Sequence, residues 1–199
     1  LFFAIGTSQG NISPIKVSDD QGLSFQDIPI IIDGTDVIAE DMYDFTRVYS
    51  FFQNDQGLFC LFAPTKSSHV ENYYFCHYNN GLFESVSTYS QLNMTFKKSK
   101  QEPICSTVSF EGNSYIATGT LTRTSDFKTA EEILLPLGED TYDLLISDGQ
   151  LFVLSALPGE TGYTIRIYRY VYNSFLYPVV SFESENAPVS FEKFGNTYY

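Results

Sequence analysis

The sequence predicts an all-β fold, and three observations carry that prediction. Aromatic residues are abundant, with 18 Phe and 15 Tyr in 199 residues and no Trp, and Phe, Tyr and the many Val, Ile and Thr favour strands. The apolar residues alternate over short runs bounded by Gly, Asn, Asp and Ser, which is the period of a half-buried strand. Strand–turn–strand phrases also recur along the chain. Helical periodicity is nearly absent. Only Thr129–Leu137, "TAEEILLPL", reads as a single helical turn, and Pro136 cuts it short.

Each repeated phrase can be taken in turn. Four apolar runs follow a turn and look alike: "LFFAIGT" from Leu1, "GLFCLFAP" from Gly57, "NSYIATGT" from Asn113 and "QLFVLSAL" from Gln150. Three of them are preceded by a strand-like run ending in a tight turn, and the phrases "EGN" and "SDGQ" are hairpin signals. A second hairpin follows every run. Each unit therefore reads as four antiparallel strands, the pattern of a propeller blade. The blades are expected at 1–35 joined by 187–199, then 44–92, 103–137 and 141–186, within one domain spanning 1–199. The chain starts in what reads as a second strand and ends, at "APVSFEKFGNTYY", in what reads as a first strand and turn. Two arrangements fit: a closed ring of four blades, or a slice of a larger propeller. Closure would remove open sheet edges. The opening "LFFAIG" has neither Met nor a basic region, so the segment is expected to come from a longer or processed product.

The clearest strand is Thr164–Asn173, "TIRIYRYVYN". Alternation puts Ile165, Ile167, Arg169 and Val171 on one face and Arg166, Tyr168, Tyr170 and Tyr172 on the other. The second set is the candidate binding stripe, because exposed Tyr and Phe rings stack on sugar rings, and Asp, Asn and Gln can bond their hydroxyls. The alternative is that the stripe packs between neighbouring blades.

Ser18–Phe25, "SDDQGLSF", joins two strands. A short Asp side chain accepts bonds from turn N–H groups, Gly22 takes positive φ without penalty, and Phe25 starts the outgoing strand and can pack under the turn. The stretch resembles the Asp-box of sialidase-like propellers, Ser/Thr-x-Asp-x-Gly-x-Thr-Trp/Phe, through Ser18, Asp20, Gly22, Ser24 and Phe25. Eroded versions stand at "HYNNGLFESV", with Asn79 and Gly81, and at "RTSDFKTAEE", with Ser125 and Asp126. In that family the box is a structural turn on the rim, away from the central site.

The same resemblance raises sialidase chemistry, which uses three arginines to clamp a carboxylate, a Tyr–Glu nucleophile and an Asp acid/base. This chain has Arg47, Arg123, Arg166 and Arg169, and Arg166 and Arg169 lie on opposite faces of one strand. The family's Phe/Tyr-Arg-Ile-Pro signature is missing, with "FTRVYS" around Arg47 in its place. No catalytic residue is assigned. His69 and His77 sit beside no nucleophile motif, and adjacent Cys76 and His77 point to opposite faces of a strand.

A net charge of −13 opposes binding to nucleic acid or to anionic membrane, since phosphate contacts need Lys and Arg. The one basic cluster is "KKSK" at Lys97–Lys100, read as a solvated loop. No apolar run reaches the roughly 18–20 residues of a membrane span. Cys60, Cys76 and Cys105 show no zinc spacing. Cys60 and Cys76 fall on neighbouring strands, so a cross-strand disulfide and free buried thiols are both open. The sequons at Asn11 and Asn93 mark acceptors only. The acidic turns "SDD" and "DGTD" lack EF-hand spacing and read as solvated turns. No metal or cofactor is expected.

The function expected from these residues is a non-enzymatic propeller that binds a protein or glycan surface, as part of a larger extracellular or virion-associated assembly. The alternatives are a sialidase-type glycoside hydrolase or a fragment of one, and a purely structural domain that packs against other domains or copies.

Overall fold

The computed structural model describes residues 1–67, 69–70, 72–92, 106–171 and 175–199. Every regular element among them is a β-strand, so the all-β class expected from alternation is what the chain adopts. The chain divides into two compact units, Leu1–Asn93 and Met94–Tyr199, where the sequence reading expected a single domain.

The first unit holds β1 (Phe2–Ile5), β2 (Thr7–Gln9), β3 (Ile15–Ser18), β4 (Gln26–Asp27), β5 (Ile30–Ile32), β6 (Thr35–Asp36), β7 (Phe45–Asn54), β8 (Gly57–Lys66), β9 (His69–Val70), β10 (Tyr74–Asn79) and β11 (Leu82–Thr88). The antiparallel meander β7-β8-β10-β11, within the 44–92 span where a blade is expected, is the middle of an eight-stranded sheet. Residues 1–35 were expected to form a blade with 187–199; instead their strands join this meander at both edges. β2 pairs with β7, and β5 pairs with β11 in parallel. β1, β3 and β4 form a sheet of their own.

The two sheets are stitched at both ends. Gly6 separates β1 from β2; its N–H donates to Pro14 O at 3.0 Å and its carbonyl accepts from Val48 N–H at 3.1 Å. Between β4 and β5, Ile28 N–H donates to Ile15 O at 3.1 Å, and Pro29 O accepts from Phe83 N–H at 3.0 Å. Ladders join β2-β7-β8-β10-β11-β5 and β4-β3-β1, and the chain itself, through Ile28-Pro29 and Gly6, links β4 to β5 and β1 to β2 to close the path. It encloses a core of Ile15, Ile28, Ile30, Val48, Cys60, Phe62, Cys76 and Phe83. Side chains of this kind contribute about 1.5–3 kcal/mol each when fully buried, and a closed path leaves few open edges.

The second unit contains β12 (Ser106–Phe110), β13 (Asn113–Ala117), β14 (Leu121–Thr124), β15 (Glu131–Ile133), β16 (Asp140–Ser147), β17 (Gln150–Pro158), β18 (Tyr163–Val171), β19 (Phe175–Ser184), β20 (Lys193–Phe194) and β21 (Thr197–Tyr198). β12 to β15 and β16 to β19 are four-stranded antiparallel meanders; the sequence reading expects blades over 103–137 and 141–186, and β16 begins at Asp140. Residues 131–133, expected in a helical turn, form β15 against β14. Ladder pairing with Leu121, Thr122 and Arg123 outweighs the weak helical propensity of a segment that Pro136 ends.

The two meanders pack face to face through Tyr115, Leu121 and Ile133 of one and Leu144, Leu151, Val153, Tyr168 and Tyr170 of the other. On its far face the second sheet presents Phe152, Leu154, Ile165 and Ile167, covered by Phe191 and partly by Tyr198. β20 and β21 pair with each other. Phe191 N–H donates to Asp143 Oδ2 at 3.1 Å, and Lys193 ion-pairs with Asp148.

Tight turns set the registers. Asp33-Gly34, Asn80-Gly81, Glu111-Gly112 and Asp148-Gly149 each have positive φ at both residues, the signature of type I′ hairpins. The phrases "EGN" and "SDGQ" fall on the last two.

Candidate functional site

The Ser18–Phe25 turn links β3 to β4 and is organised by one carboxylate. Asp20 Oδ1 accepts from Ser18 Oγ at 2.7 Å and from Ser24 N–H at 2.9 Å, and Oδ2 accepts from Ser24 Oγ at 2.6 Å. Ser18 Oγ in turn accepts from Gly22 N–H at 2.8 Å. Gln21 and Gly22 have φ of 64° and 89°, which explains the glycine. The hydroxyl bonds from Ser24 and then Ser18 hold the Asp20 carboxyl well below the usual carboxylate range. Phe25 stays 43% exposed, so it does not pack under the turn as expected.

A second turn, between β14 and β15, is built the same way. Asp126 Oδ1 accepts from Lys128 N–H at 2.8 Å and Thr129 N–H at 2.9 Å. Thr124 Oγ1 accepts from Phe127 N–H at 3.0 Å, as Ser18 does from Gly22. The loop is one residue shorter, and buried Phe127 takes the positive φ, 54°. Bonds from Thr129 and Lys128 N–H lower the Asp126 carboxyl too. The sequence reading marks this stretch as an eroded Asp-box through Ser125 and Asp126; the hydroxyl in the position of Ser18 is instead that of Thr124, at the Thr124-x-Asp126 spacing. Both turns use their carboxylates internally. Asp36 of "DGTD" likewise accepts from Ile38 and Ala39 N–H, at 3.1 and 3.2 Å. No group of potential metal ligands is found among the described residues.

Three of the four stripe residues are described; Tyr172 lies outside the described residues, as do Asn93, Lys97–Lys100 and Cys105. The Arg166 and Tyr168 side chains converge on Glu139, just before β16. The Glu139 side chain is 0% exposed and ion-pairs with Arg166, which is 19% exposed. Glu139 Oε1 also accepts from Tyr168 Oη at 3.0 Å, and Oε2 accepts from Ser155 Oγ at 3.0 Å. Burial, then the bond to Glu139, raises the Tyr168 phenol. Tyr170 sits in the core between the meanders, where its Oη accepts from Arg123 Nη1 at 3.2 Å. Its ring meets Tyr115 edge-on at 5.2 Å. Arg123 also bonds Glu131. The described part of the stripe is therefore mostly inter-sheet core, the alternative weighed from sequence. Sequence reasoning missed Glu139 because nothing in "LGEDTY" distinguishes it from the other surface acids.

At one end of the second unit, three segments meet around a groove of about 380 Å³. Phe110 and Glu111 come from the β12–β13 hairpin, Gly149 and Gln150 from the β16–β17 hairpin, and Arg169, Tyr170 and Val171 from the end of β18. The volume falls within the roughly 300–1,000 Å³ of small-ligand sites. Arg169 lies 5.9 Å from the Tyr177 ring centroid. Unlike Arg123 and Arg166, it has no carboxylate partner among the described residues. Adjacent Arg169 and Tyr170 point to opposite faces of β18, so the guanidinium reaches the Tyr177 ring and not the Tyr170 ring. A half-buried guanidinium without a carboxylate partner among the described residues can take an anionic group.

Among the other sequence candidates, His77 stacks on Phe59 at 4.7 Å, with Nε2 3.1 Å from Gln56 O. Cys60 and Cys76 are free, buried and register partners. Compared with protein-family models, curated proteins and solved structures, the chain has no match.

Proposed function

We propose that the chain is a non-enzymatic binding module that recognises an acidic group on a glycan or protein surface through the groove at Arg169. The single observation that carries this reading is a guanidinium without a carboxylate partner among the described residues. In a chain of net charge −13, Arg169 lines the groove, with Glu111 the one acid beside it in the lining. The sialidase-like propeller resemblance supports a rim-binding module in a larger surface assembly. It is favoured by the two carboxylate-capped turns and by the stacked four-stranded meanders, which have the strand order of blades. The closed pairing path of residues 2–88 is a different use of similar ribbons, so the blade reading is proposed for the second unit.

The test is a titration of the protein with acidic and neutral oligosaccharides and with acidic peptides, followed by NMR shifts. Acidic ligands are expected to move resonances of Arg169, Gln150 and Phe110, and Arg169→Ala is expected to abolish the shifts. Equal binding of neutral ligands, or unchanged binding by Arg169→Ala, would overturn the reading. Release of sugar from the bound ligand would point instead to a hydrolase.

A further inference from the structure

Cys60 on β8 and Cys76 on β10 are directly opposite each other in antiparallel register. Directly opposed residues of such a pair have Cα atoms about 4.5 or 5.5 Å apart, and both values lie inside the roughly 4.4–6.8 Å that a disulfide spans. Both side chains belong to the same buried cluster, so they project from one face of the sheet. The Cys76 thiol donates to Tyr74 O at 3.9 Å, a weak contact that a disulfide would replace. Position and face both meet the requirements for a bond between them.

Both residues are 0% exposed, so an oxidant has no route to them once the sheet is closed. Burial, and then the neighbouring Cys76, pushes the Cys60 thiol well above its ordinary value. That leaves little thiolate to attack a disulfide in the native state. The time for bond formation is therefore during folding, when β8 and β10 have met but the core around them is still open.

We infer that Cys60 and Cys76 form a cross-link site, closed by thiol–disulfide exchange with a small disulfide such as oxidised glutathione as the β8–β10 ladder assembles. One cysteine thiolate attacks a glutathione sulfur, forms a mixed disulfide and expels one glutathione thiolate. The second cysteine thiolate attacks the protein sulfur of that mixed disulfide and expels the other. Two protein thiols become one disulfide, oxidised glutathione becomes two reduced molecules, and the two thiol protons pass to the departing thiolates. The bond closes the loop of residues 61–75 and excludes unfolded conformations in which these strands separate. The inference is independent of the ligand-binding reading.

The test is refolding of the Cys105→Ser chain in a glutathione redox buffer, and separately under strong reductant. Oxidative refolding is expected to take titratable thiols in denaturant from two per chain to none, with the mass of two hydrogen atoms lost and a Cys60–Cys76 peptide on non-reducing mapping. The melting temperature is expected to rise by about 6–12 °C over the reduced form. Oxidised glutathione added to the already folded, reduced protein is expected to act far more slowly. In the unsubstituted chain, mapping is expected to find Cys105 outside the linkage. Two thiols still titratable after oxidative refolding, a glutathione adduct in place of the cross-link, a linkage through Cys105, or a lower melting temperature in the oxidised form would each overturn the inference.

Discussion

Replacing Glu139 by Ala should be the most destabilising single change in the 140–184 sheet. The carboxylate is fully buried and accepts from three side chains on two strands: Arg166, Tyr168 and Ser155. Truncation leaves the Arg166 guanidinium only 19% exposed and without its carboxylate, and leaves the Tyr168 hydroxyl without its acceptor, while Ser155 Oγ keeps only Arg166 O at 3.3 Å. Breaking one half of a buried ion pair costs about 3–5 kcal/mol. At roughly 2–4 °C per kcal/mol for a chain of this size, the melting temperature should fall by about 6–20 °C. Glu139→Gln keeps the shape and one acceptor and should cost less, about 1–3 kcal/mol. Urea melts followed by far-UV circular dichroism give the free energies. The double variant Glu139→Leu with Arg166→Met should be more stable than Glu139→Ala alone, because it removes both charges rather than stranding one. A Glu139→Ala loss below about 0.5 kcal/mol would show that the network is no more than a surface contact, since such contacts fall in that range.

Three further outcomes follow from the same geometry. Asp20→Ala should lower the melting temperature at neutral pH. The Asp20 carboxyl is depressed in the folded state, so its contribution is complete above about pH 4 and is lost as pH falls toward the folded value. The gap between wild type and variant should therefore close in acid, and melts from pH 7 to pH 2 with a constant gap would contradict this. Gly162→Ala would place a Cβ 2.4 Å from the Ser184 carbonyl oxygen. The backbone at the β18–β19 end must then shift at a cost of about 1–3 kcal/mol, and an unchanged urea midpoint would refute that contact. Residues 1–93 and 106–199, produced separately, should each melt cooperatively in calorimetry, since each has its own core. If both pieces are unfolded, the two-unit division fails and a sheet shared by the two termini regains its appeal.

Short-range features were readable from the chain. Period-two alternation and turn residues identified the strands of 45–88, 106–133 and 140–184 and their hairpins, because a strand's faces and a type I′ turn depend on neighbouring residues alone. The Ser18-x-Asp20 turn belongs to the same class: its bonds lie within a few residues. Which edges meet was decided only in three dimensions. Nothing in residues 1–35 marks them for pairing with β7 and β11 rather than with the C-terminus, because ladder hydrogen bonds come from the backbone and any open edge offers the same donors and acceptors. Tertiary packing also chose between the two fates of the Arg166–Tyr170 face. A buried Glu139 from outside the strand drew Arg166 and Tyr168 inward. Arg169, assigned from sequence to the apolar face, lines the groove with no carboxylate ion pair among the described residues. Charge pairing of that kind depends on residues distant in sequence, so local pattern could not disclose it.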